Sequence, residues 1–100
     1  MPVYRAPVKD SLFLLNEVLG IERYAGLPGF ANATPDMVEA VLTEAGRFCE
    51  EVLFPINYSG DQQGCTRHED GSVTTPEGFK DAYKAYCEAG WTLLTQPEEF

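Results

Sequence analysis

The side chains best equipped for chemistry fall in one short stretch, Cys65-Thr66-Arg67-His68-Glu69-Asp70. His68 is the single histidine of the chain, so a nucleophilic triad would have to bring it beside a nucleophile and an orienting carboxylate. Cys65, His68, Glu69 and Asp70 are all metal-capable, but a zinc site usually closes with four nitrogen or sulfur ligands, and of these only Cys65 and His68 qualify. A solvated turn is the expectation there. Glu50-Glu51 and Glu98-Glu99 are adjacent pairs, and adjacent helix positions point in different directions, so neither pair sets an acid and a base across a substrate and a solvated face is expected for both. The glycines are scattered singly and form no phosphate-cradling loop. Tyr83 and Tyr86 could stack on a ring, yet their helical spacing predicts core packing instead. Residue types and spacing assign no catalytic, cofactor-binding or metal-binding residue, which fits a packing or assembly segment.

The elements that would position these groups are mostly helical. Thr75-Pro76-Glu77 has the makings of a helix start: a hydroxyl cap, a proline pre-set for the first helical position, and an acid against the positive end of the dipole. Phe79, Ala82, Tyr83, Tyr86 and Cys87 then follow at helical spacing, and Gly90 ends the stripe. Thr34-Pro35-Asp36 repeats the start signal, and Val38, Val41, Leu42, Ala45, Phe48, Cys49, Val52 and Leu53 continue it until Pro55, where a stop or kink is expected. A polar loop with Gly60 and Gly64 should follow. A shorter helix is expected from about Ser11 to Leu19, after an extended arm of nine residues that Tyr4 pins to the body of the protein. Between the first two helices, Tyr24 to Asn32 reads as a loop anchored by Leu27 and Phe30. Asp70-Gly71 favours a type I′ turn and is compatible with a short hairpin flanked by Arg67-His68 and Val73-Thr74. The expected fold class is therefore mostly α: a small helical domain of three main helices with a short β-hairpin near Asp70-Gly71. The whole chain, 1–100, reads as a single domain, with arm, short helix and loop over 1–33 and a helical core with the hairpin loop over 34–100.

Composition narrows the partners. Seven basic against sixteen acidic residues give a net charge of -9, which repels nucleic-acid phosphates and anionic lipid head groups. Nucleic-acid and membrane partners are not expected. The apolar runs are far shorter than the roughly 20 residues of a membrane span, and Met1-Pro2-Val3 does not open a secretory signal. The expected location is cytoplasmic. Cys49, Cys65 and Cys87 form no CxxC pair, so free thiols are expected, with Cys49 and Cys87 buried on apolar stripes and Cys65 exposed in a loop. Leu14, Val18, Tyr83, Tyr86, Trp91 and Leu94 are the candidates for an apolar patch that a partner covers.

Taken together, the opening MPVYRAPVKDSLFLLNEVLGIERYAGLPGF, the helix ATPDMVEAVLTEAGRFCEEVLFPIN, the link SGDQQGC and the closing VTTPEGFKDAYKAYCEAGW with Pro97-Glu98-Glu99-Phe100 resemble the N-terminal segment of the acyl-CoA dehydrogenases. The resemblance spans the whole chain and is strongest to the long bacterial members with an N-terminal extension, the 3-methylmercaptopropionyl-CoA dehydrogenase-like group. It implies a flavoenzyme that uses FAD to oxidise the α,β bond of an acyl-CoA, with a glutamate base. It also implies that the flavin site and the base lie outside these 100 residues. No cofactor is expected in this chain itself, and none of the family's catalytic, cofactor-binding or metal-binding residues maps onto its positions. The role implied is structural. The segment would pack against the remainder of the subunit or a neighbour in a homo-oligomer and help wall the acyl side of the cleft. The alternative is a free-standing acidic helical module that docks a protein partner through the same stripe.

Overall fold

In the computed structural model, residues 2–97 and 99 are described. Among these residues three helices reach ten residues or more: α2 (Pro35–Phe48), α3 (Phe54–Gln63) and α4 (Phe79–Glu88). A shorter α1 covers Val8–Phe13, and β1 (Thr66–Arg67) and β2 (Val73–Thr74) pair as a small antiparallel hairpin. The mostly helical class is as expected. The chain divides into two units, Met1–Glu51 and Val52–Phe100.

In the first unit, α1 begins three residues earlier than Ser11. Pro7 sits at φ -80, ψ 60, an inverse γ-turn closed by the Val8 N–H donating to the Ala6 carbonyl at 2.8 Å, and this turn feeds the chain straight into the helix. The arm is correspondingly shorter than nine residues. A π-turn over Leu14–Val18 extends α1, and the Leu19 N–H donates to the Leu14 carbonyl at 2.8 Å. The stretch from Ile21 to Ala33 is a run of tight turns rather than a loop held by buried anchors. Leu27 and Phe30 are exposed, and the Phe30 ring lies 5.9 Å from that of Tyr24. α2 starts where its signal says. Thr34 is extended, and its Oγ1 accepts from the Met37 N–H at 3.2 Å. The α1 side of this unit approaches α2 at Gly46, where an added Cβ would lie 2.9 Å from Ala6 Cβ.

The second unit holds the main departures. Pro55 does not end helical structure. A π-turn covers Cys49–Leu53 and runs directly into α3, with Pro55 in the first turn of α3, so the change of helical hydrogen-bond register falls just ahead of the residue that has no N–H to give. The expected polar loop is therefore helix as far as Gln63. At the other end, α4 begins at Phe79 rather than at Pro76. Gly78 takes φ 87, ψ -19, and the Phe79 N–H donates to the Pro76 carbonyl at 3.2 Å, the geometry of a type II turn. The end of α4 is as read, with Gly90 left-handed immediately beyond Ala89. The hairpin exists, with Thr66 opposite Thr74 and Arg67 opposite Val73, but its turn is not type I′. That type needs positive φ at both central residues, whereas only Gly71 of this turn is left-handed. The Gly71 N–H donates to the His68 carbonyl and the His68 N–H to the Ser72 carbonyl, the pattern of a longer loop closed by a bulge glycine.

Burial is sparse in both units. Among the described residues, Ala82 at 7% exposure is the buried hydrophobic side chain named for the core, joined by Gly46, Gly60 and Pro76.

Candidate functional site

An apolar groove of about 300 Å³ lies in the second unit, lined by Leu53, Ile56, Asn57, Phe79, Ala82, Tyr83 and Tyr86. Its construction follows from side-chain volume. At one point α3 and α4 are nearly in contact through glycine: a Cβ on Gly60 would fall 2.4 Å from the Phe79 ring, and one on Gly78 2.9 Å from Ile56 Cγ2. The Glu77 N–H donates to Gln63 Oε1 at 3.0 Å and ties the start of the α4 turn to the end of α3. Leu53 at the end of the π-turn and Ile56 and Asn57 of α3 line one wall, while Phe79, Ala82, Tyr83 and Tyr86 share one stripe of α4.

Tyr83 and Tyr86 are thus groove-lining residues and not the core pair that helical spacing predicted. Their ring centroids stand 6.5 Å apart, and Tyr83 is 67% exposed. Helical spacing places residues on one face, but it does not supply a second layer to cover them. The Tyr83 hydroxyl ionises above the ordinary tyrosine value, first through its hydrogen bond to the Cys87 side chain and next through the charge of that thiol when ionised. It therefore stays protonated at neutral pH, one of the few polar groups in a mostly apolar lining. Cys87 is exposed, contrary to the expectation of burial, and Cys49 is half-buried; Cys65 is exposed as expected. Of the six patch candidates, Leu14, Val18, Tyr83, Tyr86 and Leu94 are exposed and Trp91 is half-buried.

The residues that looked chemical in sequence are not assembled. His68 Nε2 lies 2.6 Å from Thr74 Oγ1 across the hairpin, and Asp70 Oδ1 accepts from the Ser72 hydroxyl at 2.6 Å and the Ser72 N–H at 2.9 Å. Those bonds, led by the hydroxyl, hold Asp70 below the ordinary aspartate range. Among the described residues, no three of His, Cys, Asp and Glu gather to hold a metal ion. Glu50 is not part of a solvated face, since its Oε1 accepts from the Ala6 N–H at 2.8 Å. Glu98 lies outside the described residues, as do Met1 and Phe100. Spacing could have found Leu53, Ile56, Asn57 and Gly60, which recur at i, i+3, i+4 and i+7, had Pro55 not suggested a stop.

The lining of the groove does not fit the flavin that the resemblance implies. A dinucleotide pyrophosphate calls for cations or convergent backbone N–H groups, and here the polar side chains facing the space are the Asn57 amide and tyrosine hydroxyls. Nor is any helix of the described residues long and apolar enough to cross a membrane.

By fold the chain is a small, mostly helical protein with a two-stranded hairpin. No family model matches it. It is 36% identical over 96 residues to 3-methylmercaptopropionyl-CoA dehydrogenase of Ruegeria pomeroyi, a match covering 96% of this chain and 16% of that protein. A broad-specificity linear acyl-CoA dehydrogenase of Mycobacterium tuberculosis is 34% identical over 92 residues, covering 91% of this chain and 15% of the relative. A butyryl-CoA dehydrogenase of Syntrophomonas wolfei is 35% identical over 78 residues, covering 76% of this chain and 12% of the relative. All three relatives are acyl-CoA dehydrogenases, and matches that cover most of this chain but little of each relative are consistent with an N-terminal segment. It spans less than a fifth of the length of these relatives.

Proposed function

We propose that this chain is the N-terminal helical part of an FAD-dependent acyl-CoA dehydrogenase and that its role there is structural, not catalytic. It acts as one segment of a larger cytoplasmic, homo-oligomeric enzyme, packing against the remainder of the subunit or a neighbour. The flavin and the base that removes the α proton belong to the rest of that enzyme. The observation that carries this reading is the α3–α4 groove. Three aromatic rings, Phe79, Tyr83 and Tyr86, face open space on a stripe where only Ala82 is buried. An aromatic stripe of that kind gains free energy from a covering surface, at roughly 25 cal/mol per Å² of apolar area removed from water.

The test is the intact mass of the protein isolated from its source, with a visible absorbance scan of the same sample. A mass several times 11.1 kDa with flavin absorbance supports the reading. A mass of 11.1 kDa without flavin overturns it and favours the free-standing acidic binding module instead. A second test addresses the structural role. Tyr83→Glu places a charge at a position that is exposed here, so it should leave the segment's own helices intact. In the full-length enzyme it should lower the melting temperature and loosen flavin retention, because the charge would then be buried on assembly. Unchanged melting and flavin retention would remove the groove from the assembly surface.

A further inference from the structure

The arm ahead of α1 lies against α2 in a way the packing role does not require. Within the first unit, Tyr4, Ala6, Pro7 and Val8 line a concavity of about 150 Å³ together with Leu42, Ala45, Gly46 and Cys49 of the facing side. The approach is close because Gly46 is buried and has no side chain; a Cβ there would meet Ala6 Cβ at 2.9 Å and Val8 Cγ2 at 3.3 Å. The polar fastening comes from Glu50, one turn beyond Gly46, whose Oε1 accepts from the Ala6 N–H at 2.8 Å in a part-buried setting. The other Glu50 oxygen stands 3.9 Å from Arg5 Nη1, but that guanidinium is 76% exposed and adds little. The inverse γ-turn at Pro7 aims the Ala6 N–H across the gap and also forms the joint between arm and helix. An arm fastened by the Glu50 carboxylate, seated at the Gly46 notch and joined to its helix through a proline is a strap.

We propose that residues 2–7 form such a strap, fastened by Glu50 over Leu42, Ala45 and Gly46 of α2 and the adjoining Cys49, and that its release bares Cys49 while α1 and α2 stay folded. Cys49 is half-buried under the strap, whereas Cys65 and Cys87 are exposed, so the chain carries its own reporter and two internal references.

The experiment is alkylation of the full-length protein with iodoacetamide, read at each cysteine by peptide mass spectrometry, for the unsubstituted protein and for Glu50→Ala, Glu50→Gln and Arg5→Ala. A charge-assisted hydrogen bond of this kind predicts that Glu50→Ala raises the Cys49 rate by at least about tenfold. Glu50→Gln, which keeps a neutral acceptor, should fall between, and Arg5→Ala should change it less than about threefold. Cys65 and Cys87 should keep their rates in every variant, and helical circular dichroism should be unchanged. Gly46→Val is the second lever, since it fills the notch without touching Glu50, and it should raise the Cys49 rate as well. A Cys49 rate that is the same in all four substituted proteins as in the unsubstituted one overturns the proposal. So does a rise shared by Cys65 and Cys87, which would mean general unfolding instead of strap release.

Discussion

Thr34-Pro35-Asp36 and Thr75-Pro76-Glu77 are the same helix-start signal written twice, and they give different structures. At the first, Thr34 is extended, its hydroxyl accepts from the Met37 N–H, and α2 begins at Pro35. At the second, no side chain caps the helix, and α4 begins four residues after the threonine, at Phe79. The decisive difference is the residue three after the threonine, Met37 in one and Gly78 in the other. Met37 is comfortable in helical geometry; Gly78 is free to take φ 87 and instead completes a turn from Pro76 to Phe79. A second influence acts on the same stretch. The Glu77 N–H, which a helix start would leave to the cap or to water, is taken by Gln63 Oε1. A capping signal is thus a statement about local preference, and tertiary contacts decide whether it is used.

The largest effects should come from the glycines that permit the α3–α4 approach. Gly60→Ala sets a Cβ inside contact distance of the Phe79 ring, so the ring must move if the two helices are to keep their approach. A loss of about 1–3 kcal/mol is expected from such overpacking, measured as a lower unfolding midpoint together with faster hydrogen exchange at α4 amides. Gly78→Ala attacks the comparison itself. Its left-handed φ disfavours any side chain, and the Cβ would meet Ile56, so about 1–2 kcal/mol should be lost. If the midpoint instead holds and the amides from Glu77 to Phe79 become protected, the Thr75 signal has taken over once its competitor was removed.

How far each region could be read before folding follows from the same reasoning. The start and body of α2 were legible because cap, periodicity and backbone preference agree over Thr34 to Phe48, but not its end, since the same periodicity runs on through Cys49, Val52 and Leu53 where the structure has a π-turn. α3 was not, since Pro55 and the weakly patterned Asn57-Tyr58-Ser59-Gly60 read locally as an ending. What overrides them is the position of Pro55 in a first turn and the closeness of Gly60 to Phe79, nineteen positions later, which periodicity cannot register. The stripe Phe79, Ala82, Tyr83, Tyr86 was legible as a face, but not as an uncovered one. Nor did the pair Glu50-Glu51 reveal that Glu50 would be used by the Ala6 N–H, a partner 44 residues away. The hairpin was found through Asp70-Gly71, yet with the wrong turn, because Asp70 spends its carboxylate on Ser72 and keeps a negative φ.

A smaller but more direct comparison is Thr34→Ala against Thr75→Ala. Removing a used cap should cost about 1 kcal/mol, whereas the second threonine gives its helix no cap bond and should cost only a few tenths. Both are read from unfolding midpoints in the same denaturant. Equal losses would mean that Thr75 also caps α4 in solution, and that the turn through Gly78 is not the dominant state.

The smallest expected effect lies in the hairpin, where Asp70 is fully exposed and its hydrogen bonds act locally. Because those bonds favour the ionised carboxylate, its folded pKa is depressed. The stabilisation they give is therefore present above the unfolded aspartate value and is lost as pH falls through the lower folded one. Ser72→Ala removes the hydroxyl, the leading cause, and leaves the backbone N–H in place. The Asp70 pKa should then rise part of the way to the ordinary value, seen by NMR as a higher midpoint in the acid titration of its side-chain carboxyl carbon. Loosening of the turn, followed at the Gly71 amide, should move to higher pH with it. An unshifted Asp70 midpoint in Ser72→Ala would mean that the backbone N–H alone sets the carboxylate, and that the hydroxyl follows the turn and does not help to build it.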